Sequence, residues 1–153
     1  MDAGWWRTFE GYYDTEVKHI FESVFDKLEA NPKYIYTLGD IAFFRHYYLS
    51  QNMNGKKKIY RLVKNGQIDI VHGGMVSSDE ACPNYNDMIR NFEMGHSWLW
   101  EEFGVTPTIG WQLDPFGHSA ANAHIFAELG FDAFVFTRIN EDEQKNRKLE
   151  RDE

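Results

Sequence analysis

With 153 residues, of which 42% are hydrophobic, the chain is long enough to bury the core of one domain. Its formal net charge of −8 argues against nucleic-acid binding, which depends on a surface rich in Lys and Arg. No stretch approaches the roughly 20 apolar residues that would span a bilayer, and a single cysteine, Cys82, excludes an internal disulfide framework.

The first third of the chain reads as helix, strand, helix. Apolar residues recur at spacings of three and four between residues 12 and 28, which predicts a helix with one buried face. Asn31-Pro32 ends this helix, and residues 34–38 are predicted to be a strand by their aromatic and β-branched content. Gly39-Asp40 ends the strand, and a second helix is predicted through Tyr48.

The next segment reads as a helix followed by a strand. Asn54-Gly55 is predicted to be a turn, and the three lysines at 56–58 are predicted to open a helix that ends at Asn65-Gly66. In an acidic protein these lysines indicate a solvated helix face rather than a phosphate site. Residues 68–71 form the second predicted strand, which is closed by His72-Gly73-Gly74.

A polar segment then precedes a long helix. Ser77-Ser78-Asp79-Glu80 could cap a helix or reach into a site, and we favour capping. Apolar spacing predicts a helix over 85–103, ended by Gly104. His96 lies on its apolar stripe and is predicted to be a hydrogen-bonded core histidine rather than a ligand.

The remaining elements are a strand, a helix, a strand and a charged tail. Strands are predicted over 108–113 and 133–136, separated by a helix that Gly130 ends. Strands alternating with helices predict an α/β protein with parallel strands, as a doubly wound sheet or a partial β/α barrel. We expect one domain over 1–139, incomplete at both ends, and a truncated, charged continuation over 140–153 that is a solvated helix or disordered.

The stretch Gly110-Trp111-Gln112-Leu113-Asp114-Pro115-Phe116-Gly117-His118-Ser119 carries the strongest chemical signal. Pro115 has no amide proton, so the strand stops at Asp114, and Ser119 can cap the next helix. The carboxyl end of a strand is where α/β proteins place their chemistry. A carboxylate there suits a nucleophile or a metal ligand, although an Asp that merely caps a helix is an equally good interpretation on spacing alone.

Each predicted strand ends in a polar or glycine-rich position: Asp40, His72, Asp114 and Arg138. In a parallel sheet these positions share one face, and Asp2 with Trp5 would join them if another strand preceded residue 2. Aromatic side chains can pack against sugar rings. The pattern therefore indicates an acidic site flanked by aromatics, in a metal-assisted hydrolase or a sugar-binding cleft.

Three segments resemble the glycoside hydrolase family 38 α-mannosidases. They are Asp2-Ala3-Gly4-Trp5, Gly73-Gly74-Met75-Val76-Ser77-Ser78-Asp79-Glu80-Ala81 and, above all, Trp111-Gln112-Leu113-Asp114-Pro115-Phe116-Gly117-His118-Ser119. The likeness keeps the same order over nearly the whole chain. Ile41-Ala42-Phe43-Phe44 and Gly130-Phe131-Asp132-Ala133-Phe134 are most similar to the lysosomal type.

The resemblance implies a role for five residues. Asp114 would be both the nucleophile and a ligand of the cofactor Zn²⁺, and Asp2 matches the aspartate of the family's His-x-Asp zinc pair. Trp5, Phe116 and Arg138 match residues that line the mannose-binding subsite. The remaining zinc histidine and the acid/base aspartate are expected beyond residue 153, and the first histidine before residue 1. The implied substrate is a mannose-containing oligosaccharide, and the isolated chain is expected to show little or no turnover.

Two other functions are compatible with part of the pattern. A non-catalytic carbohydrate-binding module would keep Trp5, Phe116 and Arg138 for sugar contact. A metal-dependent polysaccharide deacetylase would need two histidines four residues apart, and none of the six histidines form such a pair. The resemblance favours the lysosome or secretory pathway, whereas no signal peptide and no Asn-x-Ser/Thr acceptor are visible.

Overall fold

A computed structural model describes residues 3–150 of the chain, and the side chains of residues 3–148. The helices are α1 Phe9–Tyr12, α2 Lys18–Ala30, α3 Ile41–Ser50, α4 Met53–Lys64, α5 Tyr85–Phe103, α6 Ala120–Glu128 and α7 Glu141–Glu150, with a π-helical turn over Tyr13–Val17 that joins α1 to α2. The strands are β1 Tyr36–Leu38, β2 Ile68–Ile70, β3 Ile109–Gln112 and β4 Ala133–Phe136. The predicted α/β class is confirmed.

The strands pair in parallel, as the alternation of strands and helices predicts. β1 pairs with β2 in the register Tyr36 to Ile68, and β3 pairs with β4 in the register Ile109 to Ala133. His72 connects the two pairs, because its backbone N–H donates to Ile109 O at 2.6 Å and its ring Nδ1 accepts from Trp111 N at 3.2 Å. The strands therefore lie side by side in chain order, as in an α/β sheet or part of a barrel.

One predicted boundary is wrong. Asn54-Gly55 is not a turn before the third predicted helix but lies in the first turn of α4, which begins at Met53. Asn52 is the N-cap, and its side-chain oxygen accepts from the backbone N–H groups of Asn54 and Gly55, both at 3.0 Å. The first N–H groups of a helix have no partner within the helix and need such an acceptor. Because Asn52 supplies it, Asn54-Gly55 is stable in the first turn of α4 and does not form a separate turn.

Apolar side chains form two clusters. The larger cluster packs β1 and β2 against α2 to α5 and contains Phe25, Phe44, Leu62 and Leu99, each at most 1% exposed. The smaller cluster supports β3 and β4 and consists of Met88, Phe92, Ile125 and Phe126, with Leu129, Phe131 and Phe134 partly buried against it.

The charged tail forms α7, where Lys145 pairs with Glu141 and Arg147 pairs with Glu143 one helical turn away. This agrees with the solvated-helix alternative for this segment. Among the described residues, no helix combines the length and the apolar character that crossing a membrane requires.

Candidate active site

The turn after β3 is held by the end of β4. Thr137 Oγ1 donates to Leu113 O at 2.6 Å, and Arg138 Nη2 donates to Asp114 Oδ1 at the same distance. The Arg138 guanidinium also lies over the ring of Phe116, 4.5 Å from its centroid. Two adjacent residues directly after β4 therefore contact the turn after β3, and Arg138 orients both its carboxylate and its aromatic ring.

The turn itself follows from its sequence. The β3–β4 ladder ends at Gln112. Pro115 is buried within the turn that follows, and Gly117 adopts φ +146°, a backbone conformation that would strain a residue with a side chain. Ser119 then caps α6, since its Oγ accepts from Asn122 N at 3.1 Å. Ser119 is the N-cap of α6, as predicted. Asp114 caps none of the described helices and instead pairs with Arg138.

A cleft of about 430 Å³ opens beside this turn. It is lined by Trp5, Ser77, Ser78, Asp79, Asp114, Pro115, Phe116 and Arg138. The structure thus brings together four residues that the sequence singled out, Trp5, Asp114, Phe116 and Arg138, from three separate parts of the chain.

The cleft offers both aromatic faces and charge to a ligand. Trp5 and Phe116 are 71% and 78% exposed, an unusual degree for such large apolar side chains. Asp114 and Arg138 are also open to solvent, with side chains 67% and 47% exposed. Aromatic rings beside a carboxylate and a guanidinium can bind a ligand with both C–H faces and hydroxyl groups, such as a sugar.

The opposite wall of the cleft belongs to the segment 73–81. Hydrogen bonds to the start of α3 and to α5 hold this segment in place. Ser77 Oγ donates to Asp40 Oδ1 at 2.6 Å, at the start of α3. Val76 exchanges two hydrogen bonds with the side chain of Asn91 on α5, both at 2.9 Å. Asp40, which we expected among the site residues, therefore supports the cleft wall rather than lining the cleft.

Our preference for helix capping by residues 77–80 is wrong for the helix that follows them. Asn84 caps α5, because its side-chain oxygen accepts from Asp87 N at 3.0 Å. Ser77, Ser78 and Asp79 line the cleft instead. Glu80 turns inward, and its side chain is only 3% exposed.

His72 also departs from the expected convergence at the sheet edge. It adopts φ +61°, rare for a residue with a side chain, and this turns its ring into the core against Phe92, Phe126 and Phe131. Burial, with a smaller contribution from neighbouring His96, lowers the pKa of His72 to about 3, so the ring is neutral at physiological pH. His96 donates to His72 O at 2.8 Å, so it is hydrogen-bonded as predicted, but it is half-buried rather than in the core.

Comparison with known proteins identifies the family of this chain. The chain matches the glycosyl hydrolases family 38 N-terminal domain over residues 1–153. It belongs to this family. It is 39% identical to a lysosomal alpha-mannosidase of Dictyostelium discoideum over 91% of the chain, and 38% identical to an alpha-mannosidase of Canavalia ensiformis over 98% of the chain. The resemblance read from the three sequence segments is thus confirmed.

The family 38 relatives are much longer than this chain, which covers 15% and 16% of those two proteins. The fold also matches a solved structure, the alpha-mannosidase from Enterococcus faecalis V583, with a TM-score of 0.70 at 19% identity. That match covers 88% of this chain and 15% of the other. It shows the fold alone, and confirms the α/β architecture.

The zinc site implied by the family resemblance cannot be assembled from the described residues. Asp2, one of its two expected ligands in this chain, lies outside residues 3–150. Within the described part of the chain, no group of three His, Cys, Asp or Glu side chains is placed to hold a metal ion. Asp114 offers one exposed carboxylate, which is a suitable donor for zinc but an insufficient one by itself.

Proposed function

We propose that the cleft binds an α-linked mannose residue and that Asp114 is the nucleophile of a retaining α-mannosidase. Family 38 membership and the alpha-mannosidase names of the relatives support the reaction class. The observation that carries the assignment is the position of Asp114, which lines the cleft together with Phe116 and accepts a hydrogen bond from Arg138. Because this chain covers only about a sixth of its relatives, the activity is a proposal for the residues it contributes.

The nucleophile must meet the anomeric carbon along a fixed direction. The hydrogen bond from Arg138 Nη2 to Oδ1 orients the Asp114 carboxylate. Attack would form a bond from a carboxylate oxygen to that carbon while the glycosidic C–O bond breaks, and the leaving oxygen would take a proton from the acid/base residue. Trp5 and Phe116 supply exposed faces against which the C–H groups of the sugar can pack. Arg138 thus serves both residues of the turn, since it also stacks on Phe116.

A retaining glycosidase needs a second carboxyl group about 5–5.5 Å from the nucleophile, first as proton donor and then as base. Among the described residues, Asp79 is the other acid that lines the cleft. We do not assign it this role, because the resemblance implies an acid/base aspartate beyond residue 153. The isolated chain should therefore hydrolyse an aryl α-mannoside little or not at all.

We further propose that Asp114 and Asp2 each contribute a ligand to Zn²⁺, a proposal that rests on the resemblance and on the open position of Asp114. Zinc would supply a positive charge that holds sugar hydroxyls. Two carboxylates make a weak site. Isothermal titration with ZnCl₂ should show weak binding that Asp114→Asn reduces, and tight binding insensitive to that substitution would contradict the assignment.

A fluoride leaving group provides the sharpest test of the nucleophile, because it departs without a proton donor. We expect 5-fluoro-α-D-mannosyl fluoride to form a carboxylate–C1 bond with loss of fluoride, adding one fluoromannosyl group to Asp114. Intact-mass and peptide mass spectrometry, with and without ZnCl₂, would detect the adduct. Asp114→Asn is the matched control and should stay unlabelled, whereas labelling at another residue would overturn the assignment.

A carbohydrate-binding role without catalysis is the second candidate. The high exposure of Trp5 and Phe116 favours it, as does the ion pair that already neutralises Asp114. NMR titration with methyl α-D-mannopyranoside separates the two: unchanged affinity in Asp114→Asn together with no covalent adduct in the native chain would favour binding alone. Trp100→Ala, an equally exposed tryptophan on α5 outside the cleft, is the control for Trp5→Ala.

A further inference from the structure

Glu80 lies directly behind the cleft and joins its two walls. It follows Asp79 in the wall segment 73–81, but its own side chain is buried and does not line the cleft. The carboxylate instead reaches the turn after β3, about forty positions further along the chain. Its side chain therefore faces neither the cleft nor solvent, and its role follows from the residues to which it is hydrogen-bonded.

The contacts of the Glu80 carboxylate are all hydrogen-bond donors. Oε2 accepts from Ser119 N at 2.5 Å, and Oε1 accepts from Asn122 Nδ2 at 2.9 Å. Oε1 also accepts from His118 Nδ1 at 3.1 Å. A carboxylate removed from water needs hydrogen-bond donors around it, and three residues of the turn and α6 provide them: His118, Ser119 and Asn122.

The bond to Ser119 completes the cap of α6 from outside the helix. In a capping box, an acid at the third helical position accepts from the backbone N–H of the N-cap residue. In α6 that third position is Asn122, and Glu80 accepts from the Ser119 N–H in its place. Since the N-terminus of a helix favours negative charge, the carboxylate stabilises α6 at the point where the Asp114 turn enters it.

Two neighbouring amides are oriented by the same carboxylate. Gln112 Nε2 donates to Ser78 O at 3.0 Å and lies 3.5 Å from Glu80 Oε1. Gln112 Oε1 and Asn122 Oδ1 are buried, and neither has a hydrogen-bond partner among the described residues. Both side-chain amides thus direct their NH₂ groups toward acceptors and leave their oxygens without a described partner. This indicates that the hydrogen bonds to Glu80 and Ser78 decide how the two amides are oriented.

From these contacts we infer that Glu80 is the positioning residue of the cleft, which holds the turn at 114–119 against the wall at 77–79. Asp114 and Phe116 belong to that turn, and Ser77, Ser78 and Asp79 to that wall. Glu80 is thus a buried carboxylate that connects the two walls of the cleft directly. Only the identity of the cleft's ligand rests on the proposed function.

The test compares Glu80→Gln, which keeps the shape of the side chain, with Glu93→Gln, which removes an exposed charge from α5. Amide hydrogen exchange measured by NMR reports on two positions: Ser119 N–H, which bonds Glu80, and Tyr36 N–H, which bonds Gln67 O in the β1–β2 half. We expect Glu80→Gln to accelerate exchange at Ser119 at least tenfold and to leave Tyr36 unchanged. Glu93→Gln should alter neither.

Asn122→Ala removes one of the donors to Glu80. It should accelerate exchange at Ser119 by a smaller factor and leave Tyr36 unchanged, which provides a second test if Glu80→Gln fails to fold. Unchanged exchange at Ser119, or equal acceleration at Tyr36, would overturn the inference. Methyl α-D-mannopyranoside should bind Glu80→Gln at least fivefold more weakly than the native chain. Equal affinity would also overturn it, whereas no binding by the native chain would defeat the proposed function and leave the exchange result decisive.

Discussion

The two halves of the sheet are held by different forces. β1 and β2 are packed among apolar side chains, with Leu38, Ile68 and Ile70 all buried. Along β4, residues alternate between exposed and half-buried, and the turn after β3 is held by Arg138, Thr137 and Glu80 through polar contacts. Hydrophobic burial is not directional, whereas a hydrogen bond depends on the positions of its donor and its acceptor. The cleft lies in the half that directional polar contacts hold.

The largest effect should come from the apolar half. Phe44→Ala should lower the free energy of unfolding by about 3–5 kcal/mol, because a fully buried ring in contact with Phe25 and Phe103 leaves a cavity. Val135→Ala, at a 38% exposed position on β4, should cost less than about 1 kcal/mol. Urea unfolding measures both, and similar losses would remove the contrast between the halves.

A second variant tests the joint between the two strand pairs. The joint is His72-Gly73, which follows β2 and packs against α5. Glycine to alanine in a helix normally stabilises by about 0.5–1 kcal/mol, yet a Cβ on Gly95 of α5 would overlap the carbonyl oxygen of Gly73. Because that oxygen belongs to the backbone, Gly95→Ala should instead destabilise by about 1–3 kcal/mol.

The control for this variant is Gly55→Ala in α4, where the nearest atoms all belong to the flexible side chain of Gln51. It should be close to neutral. Thermal melts of both variants check the prediction. A Gly95→Ala protein as stable as the native chain would show that the backbone at Gly73 can shift at little cost in free energy.

The joint should also give a pH dependence. The pKa of His72 falls from 6.5 to about 3 on folding, so between these values the unfolded chain binds the proton and the native chain does not. Stability is therefore full above about pH 6.5 and falls as the pH drops toward 3, by at most about 1.4 kcal/mol per pH unit from this group.

His72→Asn tests the source of this slope, since asparagine tolerates a positive φ better than most residues. Unfolding measured from pH 7 to pH 4 should show a shallower slope in this variant. His124→Asn, which changes an exposed histidine of α6, should keep the native slope. Identical slopes in all three proteins would mean that His72 does not stay neutral in the folded state.

The smallest change in stability is expected at the cleft itself. Arg138→Ala breaks an ion pair between two solvent-exposed side chains, and such pairs are worth about 0–1 kcal/mol. Mannoside affinity should nevertheless fall roughly tenfold, about 1.4 kcal/mol, because both Asp114 and Phe116 lose their orienting partner. Arg45→Ala, an exposed arginine on α3, is the control for both measurements.

Local pattern was a good guide where the deciding partners lie nearby in the chain. The bounds of α5 and β4, the Ser119 cap and the end of β3 before Pro115 all follow from residues within one or two turns. The same reasoning failed at Asn54-Gly55, because Asn52 offered an acceptor that made this dipeptide part of α4. It also could not identify the partners of Glu80, which caps α6 rather than the helix that follows it, because those partners lie about forty positions away.

The sequence by itself determined the parallel α/β order, through local spacing, and the family, through one specific motif. The family resemblance also singled out Trp5, Asp114, Phe116 and Arg138, which line one cleft in the structure. Only the tertiary structure decided that Asp40 supports the wall, that His72 turns into the core and that Glu80 joins the two sides of the cleft. Each of these outcomes depends on a backbone angle or a hydrogen bond between distant segments. Such contacts leave no periodic trace in the chain, because their partners are far apart in the sequence.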